Sequence, residues 1–224
     1  MITALVVAGG VGKRFGGSTP KQFLYINDLM IIEYSLRLFQ ECSLIDNILV
    51  MLPEGFDDIG EKLLSKYSKL FMYGIGKSER SKTVYEGLKL IDKRCSYVAI
   101  HDAARPCLKM NDLINVINAA KEHRAAALGV KVKDTIKMVE QGYITSTIDR
   151  EKLVSIQTPQ VFEYNLIKYA HEKYFNLNLT DDLGYIELLG IKPYFIEGSL
   201  TNIKITTPED LKIASLFITD LNQT

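Results

Sequence analysis

Ala8-Gly9-Gly10-Val11-Gly12-Lys13-Arg14-Phe15-Gly16-Gly17, with Pro20-Lys21-Gln22 close behind, follows the apolar run Ile2 to Ala8 near the start of a 224-residue chain. The run is short and aliphatic, which suits a buried strand. Five glycines between positions 9 and 17 let the backbone take positive φ and bring N–H groups against an anion with no Cβ in the way. Lys13, Arg14 and Lys21 add positive charge, so the expected order is strand, then phosphate-holding loop. A Walker A loop is excluded: Gly12-Lys13 is followed by Arg14, and the required first glycine falls on Val7. The dinucleotide fingerprint fails as well, because its third glycine would fall on Phe15 and no acidic residue stands about twenty positions on in a second strand. A glycine-rich turn that merely joins two elements needs no cations among its glycines.

Outward from this loop the chain alternates. Met30 to Phe39 has helical spacing at Ile31, Ile32, Leu36 and Phe39, and Asn47 to Leu52 is a β-prone run ended by Pro53. Phe56 to Tyr67 is helical in period, and Leu70 to Tyr73 reads as a strand broken by Gly74 and Gly76. Ser78 or Ser81 is placed to cap a helix running through Val84, Leu88 and Ile91. Tyr97 to Ile100 reads as a strand, His101 to Pro106 as a loop, and Met110 to His123 as a helix. Such alternation predicts an α/β fold with a mostly parallel central sheet flanked by helices. Ligands of such sheets sit beyond the carboxyl ends of the strands. Lys13, Arg14 and Lys21 should therefore meet Ser78, Arg80, Ser81 and Thr83, together with Asp102 and Arg105.

Beyond Ala126 the pattern changes. Ala126 to Val132 reads as a strand, then Ile136 to Val139, Tyr143 to Ile148 and Val154 to Phe162 are short β-prone pieces separated by polar turns. They predict a β arm over about 134–160, which is too small to stand alone and must lie on its own domain or on a second subunit. Tyr164 to Phe175 and Asp181 to Leu189 read as helices, the second with Thr180 as a candidate cap. Pro193 to Glu197 and Ile203 to Ile205 read as strands, and Pro208 to Asp220 as a closing helix capped by Thr207.

The whole, residues 1–224, is expected to be a single domain. Its hydrophobic content is 47%, its charged content 24%, and its 27 Lys plus Arg balance its 27 Asp plus Glu. No long-range field draws such a chain to nucleic acid or an anionic membrane, and its positive charge must act locally on a small anion. No apolar stretch suits a bilayer span or a signal peptide, so a cytoplasmic location is expected. Cys42, Cys95 and Cys107 show no disulfide or zinc spacing, and His101, His123 and His171 show no ligand spacing.

Ala8-Gly9-Gly10-x-Gly12-x-Arg14, Pro20-Lys21-Gln22-Phe23, Glu79-Arg80-x-x-Thr83-Val84, His101-Asp102-Ala103-Ala104-Arg105-Pro106, Asp134-Thr135, Thr158-Pro159-Gln160 and Asn202-Ile203-Lys204-Ile205-Thr206 occur in the order seen in the sugar-alcohol-phosphate cytidylyltransferases. The resemblance covers nearly the whole chain. It is nearest to the 2-C-methyl-D-erythritol 4-phosphate cytidylyltransferase family of isoprenoid precursor synthesis, with the ribitol-5-phosphate cytidylyltransferases of wall or capsule polymer synthesis second. It implies a Rossmann-like nucleotidyltransferase fold, a homodimer formed through the β arm, and attack by a sugar-alcohol phosphate on CTP with Mg²⁺ present and pyrophosphate released.

By the same resemblance Arg14, Lys21 and Lys204 are the catalytic cations. Ala8, Gly9, Gly10, Gly12, Gly76, Arg80, Thr83, Asp102 and Ala103 join Arg14 and Lys21 around the nucleotide. Arg105, Asp134, Thr135, Arg150, Thr158 and Lys204 surround the acceptor, with Thr135 and Arg150 coming from the partner's arm. Asp102 lies near the ribose and the metal, although an Asx turn or helix cap accounts for such an aspartate equally well. Arg105 either contacts ligand or holds the loop through backbone carbonyls, and His101 reads as structural. Thr180-Asp181-Asp182 matches a Thr-Asp pair common in the family, which could cap its helix and also orient nearby cations, and it is assigned no catalytic role. Lys77-Ser78 stand where the family commonly has Gly-Asp. Ala103-Ala104, Asp134-Thr135 and Asp149-Arg150 resemble the methylerythritol branch, whereas Gly9 and Gly16 resemble the ribitol branch. Three rival readings are a non-catalytic nucleotide sensor, an NAD-dependent enzyme, and a nucleotidyltransferase using UTP or GTP with a hexose phosphate.

Overall fold

A computed structural model describes residues 1–10, 15 and 19–221. The chain runs β1 (Ile2–Val7), a small hairpin β2 (Tyr25–Ile26) and β3 (Leu29–Met30), α1 (Ile31–Glu41), β4 (Asn47–Leu52), α2 (Asp57–Lys66), β5 (Leu70–Ile75) and α3 (Arg80–Leu90). It continues through β6 (Tyr97–Asp102), α4 (Met110–His123), β7 (Ala125–Lys131), the hairpin β8 (Ile136–Glu140) and β9 (Tyr143–Ile148), and β10 (Val154–Glu163). The last elements are α5 (Tyr164–Lys173), α6 (Leu183–Glu187), β11 (Tyr194–Glu197) and α7 (Pro208–Leu221).

Among the described residues the central sheet has seven strands in the order β11-β7-β10-β6-β1-β4-β5. β1 pairs in parallel with β4 and β6, and β4 with β5, so β1, β4, β5 and β6 all end on one side of the molecule. Both faces of these strands are covered, which is why their sequences read as continuous apolar runs. Ala4, Val6, Ile48 and Val50 meet Leu36 and Phe39 of α1, Leu63 of α2 and Leu113 and Ile117 of α4. Leu5, Leu49 and Met51 meet Val84 and Leu88 of α3 and Ile167 and Ala170 of α5 on the other face. A third cluster seats Ala214 and Ile218 of α7 on Ile31, Cys107 and Ile205. That contact fixes the segment carrying Lys204 beside the end of β6.

Several sequence expectations change in place. β10 is not part of the projecting arm: it is an antiparallel strand between β6 and β7, with Val161 opposite Ala99 on one side and Ala126 on the other. The excursion is the β8–β9 hairpin, which forms its own two-stranded sheet. Gly74 lies inside β5, not at its end; a Cβ there would come within 2.7 Å of Leu90 Cδ1 and 3.0 Å of Met51 Sδ, so the glycine admits the end of α3 against the strand. Neither Ser78 nor Ser81 caps α3. The cap position is Glu79, with no side-chain bond, and Ser81 donates instead to Asn178 Oδ1 at 2.9 Å. Thr180 does not cap α6; Asp181 accepts the Gly184 N–H at 3.2 Å. Ile203 to Ile205 is not a strand, and its Ile205 N–H bonds to Ala104 O at 2.9 Å. Thr207 and Asp210 do cap α7 reciprocally, Thr207 N donating to Asp210 Oδ2 at 2.8 Å and Asp210 N to Thr207 Oγ1 at 3.4 Å.

Candidate active site

The loop after β1 is fastened from behind. Gln22 Nε2 donates to Ala8 O at 2.6 Å and to Gly10 O at 3.0 Å, tying the entry of the loop to the turn that carries Lys21. On its other side Gly9 meets the loop after β5: a Cβ on Gly76 would lie 2.9 Å from Gly9 Cα, and one on Gly9 would lie 3.2 Å from Gly76 Cα. Thr83 closes that second loop, accepting the Lys77 N–H at 2.8 Å while its hydroxyl lies 3.0 Å from Glu79 O. The third wall is the end of β6, where Val7 pairs with Asp102.

These walls enclose a cavity of about 340 Å³. Of the expected nucleotide residues, Ala8, Gly10, Lys21, Arg80, Thr83, Asp102 and Ala103 line it, and so does Lys204 from the segment before α7. Gly9 and Gly76 abut each other beside it. Gly12 and Arg14 lie outside the described residues. Thr158 and Arg105 lie behind the wall: Thr158 Oγ1 accepts the Asp102 N–H at 3.1 Å, and Arg105 donates from Nη1 to Asn202 O at 2.7 Å. Asp134, Thr135 and Arg150 are exposed at the base of the β8–β9 hairpin and do not join this lining; Arg150 Nη1 bonds to Lys133 O at 2.6 Å.

Asp102 is the one acid among the described lining residues, and cations hold both of its oxygens. Arg80 Nε lies 2.8 Å from Oδ1 and Lys204 Nζ 2.8 Å from Oδ2, with Arg105 Nε at 3.9 Å. Burial by itself would raise this carboxyl, but Arg80 and Lys204 outweigh it and hold it well below the ordinary carboxylate range. Lys21, Lys77, Arg80 and Lys204 against a single carboxylate leave the described lining positive, which suits a polyanion. The group of three or more His, Cys, Asp or Glu side chains that an all-protein metal site requires does not occur among the described residues. Asp102 is the one described lining carboxylate that could hold a divalent cation, and only by exchanging one of its two cationic partners.

Four contributors are not evident from the sequence motifs as ligand residues. Gln22 was visible in Pro20-Lys21-Gln22, but its amide serves the loop backbone. Asp182 and His171 lie behind Arg80, with Asp182 Oδ2 2.7 Å from Arg80 Nη1 and His171 Nε2 3.1 Å from Asp182 Oδ1. Asn202, fully buried, donates to Thr158 O at 2.9 Å and so braces the wall behind Asp102. The signal for Asp182 was the Thr180-Asp181-Asp182 match to the family; for His171 there was none, because its partner lies eleven residues away on another element.

A family model described as IspD: 2-C-methyl-D-erythritol 4-phosphate cytidylyltransferase matches residues 2–220. A protein of Caldicellulosiruptor saccharolyticus named 2-C-methyl-D-erythritol 4-phosphate cytidylyltransferase is 47% identical over 215 residues, 96% of each chain. A protein of the same name from Clostridium beijerinckii is 41% identical over 226 aligned positions, covering 99% of this chain and 100% of that one. The crystal structure of 4-diphosphocytidyl-2C-methyl-D-erythritol synthase from Anaerococcus prevotii superposes with a TM-score of 0.86 at 30% identity, covering 97% of this chain and 98% of that one.

Proposed function

The chain belongs to the 2-C-methyl-D-erythritol 4-phosphate cytidylyltransferase family, and from that premise we propose how its residues carry out cytidylyl transfer. An oxygen of the methylerythritol phosphate attacks the α-phosphorus of CTP, a new P–O bond forms, and the bond from the α-phosphorus to the bridging oxygen breaks, with pyrophosphate leaving on that electron pair. The products are 4-diphosphocytidyl-2-C-methyl-D-erythritol and pyrophosphate. The attacking phosphate is already ionised, so the protein has no nucleophile to generate; it must bring two polyanions together and neutralise them.

One observation carries this assignment: Lys204 and Arg80 converge on Asp102 at the carboxyl end of the central strands, in the cavity that also holds Lys21 and the glycine loop. Lys21 meets the triphosphate from the turn behind the loop, and Arg14 joins it by family resemblance. Lys204 rests on Asp102 and turns to the α-phosphate as ligand arrives; Arg80 stays on the carboxylate, so Asp102 keeps a cation. The Gly76 to Thr83 loop receives the base. Magnesium, if bound, would supply charge neutralisation to the triphosphate, and Asp102 is the carboxylate that would hold it.

Gly9, which pointed toward ribitol phosphate, has a packing reason independent of the acceptor, since it abuts Gly76. Homodimerisation through the β8–β9 hairpin would bring Thr135 and Arg150 to a partner's cavity. A cytoplasmic setting accords with three buried cysteines that form no disulfide. No helix of the described residues is long and apolar enough to cross a membrane.

Pyrophosphate release from CTP and Mg²⁺, with methylerythritol 4-phosphate and ribitol 5-phosphate offered in parallel, tests the assignment. Faster turnover of the former is expected, and Lys204→Ala should lower it about 10² to 10³-fold, as loss of one preorganised donor does. Faster turnover of ribitol 5-phosphate, or near-normal turnover by the variant, would overturn it.

A further inference from the structure

Behind the cavity wall, a buried polar chain crosses the far face of the sheet. His171 on α5 is stacked on Tyr185 with ring centroids 4.0 Å apart, and its Nε2 lies 3.1 Å from Asp182 Oδ1. The backbone of Asp182 is held as well, its N–H donating to Gln160 Oε1 at 3.0 Å, and Gln160 Nε2 donates in turn to Asp181 Oδ2 at 3.1 Å. Asp182 Oδ2 takes Arg80 Nη1 at 2.7 Å, and Arg80 Nε reaches Asp102 Oδ1 at 2.8 Å. Asp182 and His171 are both buried and both stand outside the cavity lining. Arg80 does line it.

A guanidinium is a planar fork, so fixing two of its nitrogens fixes the third. Nε and Nη1 of Arg80 are each committed to a carboxylate. Nη2 is buried and has no hydrogen-bond partner among the described residues. Leaving a charged donor buried and unpaired is costly, so at a cavity wall Arg80 Nη2 calls for an acceptor that the described residues do not supply. Arg80 without Asp182 would still pair with Asp102, but it would be free to rotate about that one contact. Its unused donor would then have no fixed direction.

We propose that Asp182, braced by His171 and Gln160, is a positioning residue for the reaction: it locks Arg80 so that Nη2 is offered to an oxygen of the bound nucleotide while Nε keeps Asp102 in place. Asp182 touches no ligand itself and acts through Arg80. The proposal rests on the cytidylyl-transfer reaction above, and it predicts a defect in nucleotide binding more than in acceptor binding.

The test is a double-mutant cycle read by steady-state kinetics, with melting temperature followed in parallel. Asp182→Asn keeps the shape and removes the charge. It is expected to raise KM for CTP about tenfold, to leave KM for the acceptor within about threefold, and to have less than a twofold effect on KM for CTP in an Arg80→Lys background. An unchanged KM for CTP, equal losses for both substrates, or the same loss in both backgrounds would overturn the proposal. Should Asp182→Asn not fold, His171→Gln, which loosens Asp182 without removing its charge, decides: a threefold or greater rise in KM for CTP confined to the Arg80 background supports the proposal, and no rise sinks it. If the unmodified protein turns over neither acceptor, the reaction assignment has failed. The positioning proposal is then read from the CTP-induced rise in melting temperature, which the variant should lose and whose retention would count against it.

Discussion

His101 stands one residue before Asp102 on β6 and is fully buried against Phe39. Its Nε2 lies 3.2 Å from Arg105 O and 3.1 Å from Ser35 Oγ, and its Nδ1 lies 3.0 Å from Thr158 Oγ1. A carbonyl oxygen only accepts, so this network assigns the proton to Nε2 and makes Nδ1 the acceptor of the Thr158 hydroxyl. Burial pushes the imidazole down to about 4, with the Asp102 charge opposing and Arg105 reinforcing that shift. The unfolded chain takes up this proton near pH 6.5 and the folded chain only near 4. Between those values the unfolded state binds more protons, and stability falls as pH drops through the window. About 3 kcal/mol should be lost from pH 7 to pH 4 through this group. Asp102 and Asp182, both held low, add their losses as pH falls through the ordinary carboxylate range and below it. Urea unfolding at pH 7, 5.5 and 4.5 should show this loss in the parent and a flatter profile in His101→Gln; equal slopes would remove His101 as the cause. The residue scale also marks the limit of the sequence. Lys21 was legible beside the glycine loop, whereas the roles of Asp102 and Lys204 were reached through the family resemblance; all three line the cavity. The resemblance marked Asp182 as part of a pair that orients nearby cations, but not which cation, since Arg80 lies 102 positions earlier and only the fold brings them together.

At the scale of elements, the site is assembled where two loops meet glycine on glycine. Gly76 follows β5 and Gly9 follows β1, two strands that flank β4. The Gly76 N–H bonds to Leu52 O at 2.7 Å, which extends the pairing one step past the strand and brings the loop in close. A methyl group at Gly76 would lie 2.9 Å from Gly9 Cα and 3.1 Å from Thr83 Cγ2, so backbone would have to move. Gly76→Ala should therefore destabilise by about 1 to 3 kcal/mol, as overpacking does, and raise KM for CTP several-fold by shifting Thr83 and Lys77. Thermal melting with and without CTP, alongside kinetics, measures both effects; an unshifted melt with normal KM would mean that the loops are not in contact. Alternation of strand and helix was readable from Ile2 to His123 because each unit's period is local. β10 was misplaced for the converse reason. Val154 to Phe162 has the same apolar pattern whether it projects in an arm or fills a gap in the sheet, and its partners β6 and β7 are set by long-range pairing. Ile203 to Ile205 has strand composition, but a single bond to Ala104 replaces a ladder.

For the whole molecule, the decisive feature is the hairpin that the sheet does not use. Among the described residues β8 and β9 pair only with each other, and they expose Met138, Val139, Tyr143 and Ile144, with Val139 60% and Tyr143 77% accessible. A two-stranded ribbon with an apolar face is marginal in water unless something covers it. Thr135 and Arg150, expected at the acceptor, flank this ribbon and are not among the described residues lining their own chain's cavity, whereas Lys21, Arg80, Thr83 and Asp102, expected at the nucleotide, are. A second copy that covers the apolar face would supply them together. The two halves of the site should then separate by mutation. Val139→Lys combined with Ile144→Lys places charge on the covered face. Light scattering should show the parent at twice the chain mass and the variant at one. The variant should keep the CTP-induced rise in melting temperature, because the nucleotide cavity is built within one chain. It should lose about 10²-fold or more in kcat/KM for the sugar-alcohol phosphate, the scale expected when charged donors to a bound phosphate are withdrawn. A parent that is monomeric and fully active, or a monomeric variant with normal acceptor turnover, would return Thr135 and Arg150 to being solvated residues of a surface turn.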